Sequence, residues 1–390
     1  MNFDHTRYAA LPGIPALLEA LGATDGDVRY VGGIVRDTLL GQTASDIDMA
    51  TVHAPQEVVR RLEAAGIKAV PTGIDHGTIT AVSDHTVVEV TTLRADVETD
   101  GRRATVAYTD DWKEDAARRD FTINALYADP LTGEVTDYFG GLADLDDGIG
   151  RFIGDPLERI AEDHLRILRF FRFHARFGEG SPNSPGLAAC QQRANDLMAL
   201  SRERIADEIL KLLGLPDPTP TVRVMNDNRI FAPVLPEISA RGIERLAALT
   251  AFENRHDLDA SPIRRLAALL PSDPDVGRDI ASRLKFSNAE KSRLVAALSS
   301  ADMPPRELAY RLGRAKAEAR LALAQDEAGI RALQNFTIPT LPIKGGALIE
   351  RGIEKGPEVA RTLRAIEDAW VDAGFPAGEA FEAIVADKLP

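Results

Sequence analysis

Residues 30–51 read Y-V-G-G-I-V-R-D-T-L-L-G-Q-T-A-S-D-I-D-M-A-T. Gly32 and Gly33 end an apolar run and open a stretch of helical character that Gly41 closes. Asp46-Ile47-Asp48 alternates acid, apolar, acid. Side chains at i and i+2 of a strand share a face. Two carboxylates placed so repel unless a cation lies between them, which makes Asp46 and Asp48 candidate metal ligands and catalytic groups. The glycine pair lets backbone N–H groups approach a ligand, and the helix start that follows favours an anion. Metal carboxylates beside a phosphate cradle point to phosphoryl or nucleotidyl transfer. Neither piece suffices alone, since isolated acid pairs usually sit on solvated surface and paired glycines usually mark turns.

Working outward, Val28–Val31 reads as a strand, Ile34–Leu40 as a helix and Ile47–Thr51 as a second strand. An amphipathic helix is expected over Pro55–Ala65, then strands near 67–70, 78–82 and 87–92. Glu89 lies inside V-V-E-V-T-T. Either it faces outward, or it is a third carboxylate on a neighbouring strand that completes the catalytic set. Ala95–Asp111 is polar and reads as a loop. Arg118-Arg119-Asp120 is either a solvated ion-pair cluster or, set opposite a metal site, a holder of triphosphate or ribose. The glycines of 138–154 suggest a hairpin and hinge. Asp155-Pro156-Leu157-Glu158 then opens a helix, with Asp as N-cap, Pro first and Glu third. That helix can run to Phe177 before Gly178. From there to Pro390 the chain reads as helices separated by Pro and Gly. The expected class is α+β: a mixed-sheet head over 1–150, then helical regions over 151–215 and 216–390.

Asp163, Arg166 and Arg169 recur at helical spacing in the Asp155 helix, and Arg172 continues the stripe. Such charges are ordinarily an exposed ion-pair face. The other faces are apolar, however, so a cleft-lining stripe is the sharper alternative. A carboxylate only accepts hydrogen bonds and a guanidinium only donates. Cytosine and adenine each present a ring-nitrogen acceptor beside an amino donor, whereas guanine and uracil present the reverse. One Asp and one Arg can therefore accept C and A and reject G and U, with a cost of roughly 1–3 kcal/mol per buried group left unpaired. Arg169 and Arg172 would remain for the triphosphate.

Composition sets bounds. The 390 residues, 44% hydrophobic and 27% charged, suit a globular protein of several domains. No apolar run is long enough to span a bilayer, and the start lacks a secretion signal. A single cysteine, Cys190, fits a reducing cytoplasm. A net charge of -14 argues against a generally basic nucleic-acid surface, so any RNA contact must be local. Candidates by default on the helical surface include Arg264 and Arg265.

The motifs G-G-I-V-R-D, D-I-D-M-A-T, R-R-D-F-T-I-N-A-L, D-Y-F-G-G-L-A-D-L and E-D-H-L-R-I-L-R occur in this order. As a set they resemble the class II (bacterial-type) CCA-adding tRNA nucleotidyltransferases of the DNA polymerase beta superfamily, close relatives of bacterial poly(A) polymerases. The resemblance implies a nucleotidyltransferase head, a helical neck, and a body and tail that bind tRNA. It implies template-independent, Mg²⁺-dependent addition of CCA to the tRNA 3′ end from CTP and ATP, with release of pyrophosphate. The alternative is a poly(A) polymerase or a partial, CC- or A-adding enzyme. By resemblance Asp46 and Asp48 bind Mg²⁺, Gly33 and Arg36 touch phosphates with Gly32 beside them, and Arg119 contacts the nucleotide. Asp120 and Asn124 lie near its ribose, and Asp163 with Arg166 serves as the template for C and A. The loop from Ala95 would help switch between CTP and ATP. No protein partner is implied. Phe170 departs from the family pattern, which has a small residue there.

Overall fold

The computed structural model describes residues 3–95, 107–300 and 303–389. The chain divides into two compact units, Met1–Leu200 and Ser201–Pro390.

The first unit is built on a seven-stranded sheet. Its strands are β1 (Val28–Val31), β2 (Asp48–Thr51), β3 (Lys68–Gly73), β4 (Thr78–Ser83), β5 (Thr86–Thr92), β8 (Leu126–Ala128) and β9 (Val135–Asp137), in the order β3-β4-β5-β2-β1-β8-β9. A separate ribbon pairs β6 (Arg94–Ala95) with β7 (Ala107–Tyr108). The ribbon brackets most of the predicted loop, whose residues 96–106 lie outside the described residues. Strands β2 and β5 run parallel, and the remaining pairs are antiparallel. A parallel pair needs a crossover, and the chain between β2 and β5 supplies the helix Pro55–Ala64 and strands β3 and β4. That helix and Ile14–Ala20 both pack on β4, where Ile79, Ala81 and Ser83 alternate inward. The helix Gly33–Leu39 packs instead on β1 and β8. The sheet thus leaves the start of β2 at a rim beside the Gly32 turn.

Two local expectations are corrected. The 138–154 stretch is not a hairpin. Asp137 accepts backbone N–H groups from Phe139, Gly140 and Gly141 through Oδ1, and from Leu142 through Oδ2. This satisfies the open end of a short helix, Gly141–Asp146. The helix from Asp155 is not continuous either. It breaks into Pro156–Glu162 and Arg166–Phe177.

Phe170 is fully buried, stacked on Phe152 at 5.5 Å and edge-on to Phe171. Space for its ring comes from Gly186, where an added Cβ would lie 2.7 Å from the Phe170 edge. Every described element after β9 is helical. In the second unit, Glu253, Arg264 and Arg265 are buried together, so the surface reading of the two arginines is overturned. His256 ends the helix Ala240–Arg255 against the Phe252 ring, and Asp257 turns through a left-handed conformation (φ 53).

Candidate active site

Strand pairing brings the carboxylates together. In the β2–β5 register Asp48 stands opposite Glu89, whose N–H donates to the Ile47 carbonyl at 2.9 Å. Asp48 is half-buried, while Asp46 and Glu89 are exposed. Burial, and then the negative charges of Glu89 and Asp46, push the Asp48 carboxyl up to about 6 against the opposing pull of Arg119. Glu89 is thus exposed, as the outward reading has it, and stands on the neighbouring strand beside Asp48. The expectation that Asp46 and Asp48 share one strand is only half met. The strand starts at Asp48, so Asp46 sits in a bend before it and its Oδ2 accepts the Ser45 hydroxyl at 2.7 Å. Among the described residues no group of three carboxylate, His or Cys side chains closes round one point. The carboxylates form an open set, suited to a cation whose remaining ligands come from a substrate. The placing of Glu89 and Asp46 beside the half-buried Asp48 is the observation that favours a cation there.

Gly32 adopts φ 73 and ψ −122, a conformation open to glycine, and its N–H donates to Leu126 of β8. An added Cβ would lie 3.7 Å from Arg119 Nη1, so this arginine flanks the glycine turn and also feels Asp48. From Arg36 a line of hydrogen bonds crosses the site. Arg36 Nη1 donates to Asn124 Oδ1 at 2.5 Å, Asn124 Nδ2 donates to Asp120 Oδ1 at 3.0 Å, and Arg169 Nε donates to Asp120 Oδ2 at 2.7 Å. Burial would raise the Asp120 carboxyl, but the Arg169 charge and these hydrogen bonds outweigh it and hold it below the usual range. The Phe173 ring carries three guanidinium groups, those of Arg36 at 5.2 Å, Arg169 at 5.3 Å and Arg172 at 4.4 Å. Four expected residues from three separate motifs (Arg36, Asn124, Asp120 and Arg169) thus share one network, with Arg172 on its aromatic wall.

The Asp163–Arg166 pair is arranged differently from a helical stripe. Asp163 takes an extended conformation at the helix break, and its Oδ1 accepts the Leu165 N–H at 3.1 Å. A short acidic side chain that bonds its own backbone competes with helix, which is why the run ends here. The Arg166 guanidinium is held by the Glu162 carboxylate, by the Arg159 carbonyl at 2.8 Å and by the Arg118 carbonyl at 3.3 Å. The arginine periodicity does survive, in Arg166, Arg169 and Arg172.

Sequence reasoning missed Asp37, Asp115, Tyr127 and Phe173. Asp37 accepts from Arg36 Nε at 2.9 Å and from Arg176 Nη2 at 3.1 Å, tying the helix Gly33–Leu39 to Arg166–Phe177. Its signal was its place directly after Arg36 in G-G-I-V-R-D.

A mixed sheet with rim carboxylates, a glycine turn and converging arginines defines a nucleotidyltransferase head. A family model described as the poly A polymerase head domain matches residues 28–151, and one described as a probable RNA and SrmB-binding site of polymerase A matches residues 187–241. The mouse mitochondrial CCA tRNA nucleotidyltransferase 1 is 34% identical over 93% of this chain and 87% of its own. The CCA-adding enzyme of Lacticaseibacillus paracasei is 31% identical over 96% of both chains. A crystal structure of the Bacillus stearothermophilus CCA-adding enzyme in complex with CTP is 27% identical, with a TM-score of 0.75 over 97% of this chain and 98% of that one. The chain belongs to the family of CCA-adding tRNA nucleotidyltransferases.

Proposed function

We propose that this protein adds C, C and A in succession to the 3′ end of tRNA, from CTP and ATP, without a nucleic-acid template and with release of pyrophosphate. The observation that carries the reading is the Asp48–Glu89 register with Asp46 alongside, next to the Arg36–Asn124–Asp120–Arg169 line. It gains support from relatives named as CCA-adding enzymes that align over nearly the whole chain. Asp46 and Asp48 would hold Mg²⁺, which supplies activation of the RNA 3′-hydroxyl and neutralisation of triphosphate charge. Glu89 adds negative charge beside Asp48 and strengthens cation binding. Arg36, Arg119, Arg169 and Arg172 supply planar donors for phosphate oxygens, while Asp120 and Asn124 offer an acceptor and a donor toward the ribose. The extended Asp163 accepts from the amino group of C or A, and Arg166 donates to the ring nitrogen. The helical body and tail carry the tRNA. A single buried thiol, Cys190, fits work in the reducing cytoplasm, and no helix among the described residues is long and apolar enough to cross a membrane.

The test uses tRNA transcripts that end before CCA, each labelled nucleotide in turn, and separation of products by length. Addition of two C residues and one A is expected. Long A tails would favour poly(A) polymerase, a reading kept alive by the head-domain match, and arrest after two C residues would favour a partial enzyme. In the same assay Asp163→Ala should lower discrimination against GTP and UTP by about tenfold or more, the worth of one buried hydrogen-bonding group. Unchanged discrimination would remove Asp163 from the template role.

A further inference from the structure

Asp115 belongs to none of the groups assigned above, yet it is among the least exposed carboxylates of the first unit, at 2%. It lies in the helix Trp112–Ala117. Its Oδ2 accepts Arg119 Nε at 3.1 Å, Arg119 Nη2 at 2.9 Å and the Tyr127 hydroxyl at 2.7 Å. The Tyr127 hydroxyl also accepts from Arg119 Nε at 3.1 Å, and the guanidinium lies 5.3 Å from the Tyr127 ring centre. Asp115 Oδ1 accepts the backbone N–H of Arg94 at 3.1 Å, with Arg118 Nη1 at 3.7 Å. Burial disfavours the charged carboxylate, but Arg119 and the hydrogen bonds outweigh it and hold the group below its ordinary range.

The Arg119 guanidinium is thus gripped along its Nε–Nη2 edge, which turns Nη1 toward the Gly32 turn and the Asp48 side of the site. Arginine has many rotamers, and an unanchored guanidinium loses much of its directional advantage over lysine. The Arg94 N–H belongs to β6, so the same carboxylate ties the root of the β6–β7 ribbon to this arginine.

We propose that Asp115, with Tyr127, is the positioning residue that presents Arg119 to the incoming nucleotide and registers the β6–β7 ribbon against it. This rests on the reading of Arg119 as a nucleotide contact. The test is a double-mutant cycle of Asp115→Asn and Arg119→Lys. It is read as KM for CTP and for ATP at saturating tRNA, KM for tRNA, and thermal unfolding. Each single variant should raise nucleotide KM about tenfold, the worth of a charge-assisted hydrogen bond, with KM for tRNA unchanged. In the Arg119→Lys background, Asp115→Asn should add less than about twofold. Tyr127→Phe, which preserves the core ring, should give a smaller shift of the same kind. It keeps the proposal testable if Asp115→Asn does not fold. Fully multiplicative effects, or lower unfolding temperature with unchanged nucleotide KM, would overturn the positioning role alone. No change in nucleotide KM for Arg119→Lys would overturn the site reading and the proposal with it.

Discussion

Replacing Asp48 by asparagine is expected to abolish nucleotide incorporation and to stabilise the metal-free protein at neutral pH. The first effect follows from the cation-binding role proposed for Asp48, whose loss removes several kcal/mol of transition-state stabilisation, about a thousandfold or more in rate. The second follows from burial, and then the negative charges of Glu89 and Asp46, which raise the Asp48 carboxyl from 3.8 to about 6. A carboxyl whose folded pKa is raised binds more protons in the native state, so stability falls as pH rises through this window. The penalty is absent below about pH 4 and complete above about pH 6, and it amounts to at most about 3 kcal/mol, less where water screens the half-buried group. Asparagine has no such penalty. Urea unfolding in EDTA at pH 4 and pH 7.5 measures the difference. The chain has 2 tryptophans, Trp112 in the first unit and Trp370 in the second, so a Trp370→Phe background leaves Trp112 as the reporter of this unit. An equal stability difference at both pH values would contradict the charge-cluster account, and retained incorporation would remove Asp48 from the catalytic set.

Glu253→Gln should be among the most destabilising conservative changes in the second unit, by about 3–5 kcal/mol. Glu253 is 0% exposed, with Arg264 at 6% and Arg265 at 1%. Its Oε1 accepts Arg264 Nε at 2.6 Å and its Oε2 accepts Arg265 Nε at 2.7 Å. Arg265 also donates to the carbonyls of Leu213, Leu215 and Pro216, closing the end of the helix Arg202–Leu213. Glutamine keeps the shape but leaves two buried guanidinium groups without a counter-charge, and turns an amide N–H toward one of them. The exposed Lys211–Asp207 pair is the control, where loss of one partner should cost under about 1 kcal/mol. Unfolding followed at Trp370 in a Trp112→Phe background provides the measurement, and a loss below about 1 kcal/mol for Glu253→Gln would show that the cluster relaxes or admits water.

The contrast between the two regions marks what could be read in advance. The chemistry was legible because it rests on short-range rules. Alternation across Asp46-Ile47-Asp48 and the Gly32–Gly33 turn were visible locally, as was the arginine spacing after Asp163, and each limits the possible ligands by charge and donor type alone. Helix interruption at Asp163 was not legible. Helical spacing there was intact, and only the folded backbone shows the carboxylate bonding the Leu165 N–H. Asp115 and Tyr127 were likewise silent, since an acid in E-D-A-A-R-R looks like solvated surface until burial and pairing are known.

By itself, then, the sequence determined the α+β order, the doubled carboxylate, and the motif set of a nucleotidyltransferase. Tertiary structure alone decided which distant residues meet. The β2–β5 register sets Glu89 beside Asp48, Arg36 reaches Arg169 through Asn124 and Asp120, and Arg264 and Arg265 lie on a buried Glu253 instead of on the surface. The physical reason is that donor type and periodicity are properties of neighbouring residues. Strand register and the pairing of buried charges depend instead on how the whole chain shares its interior.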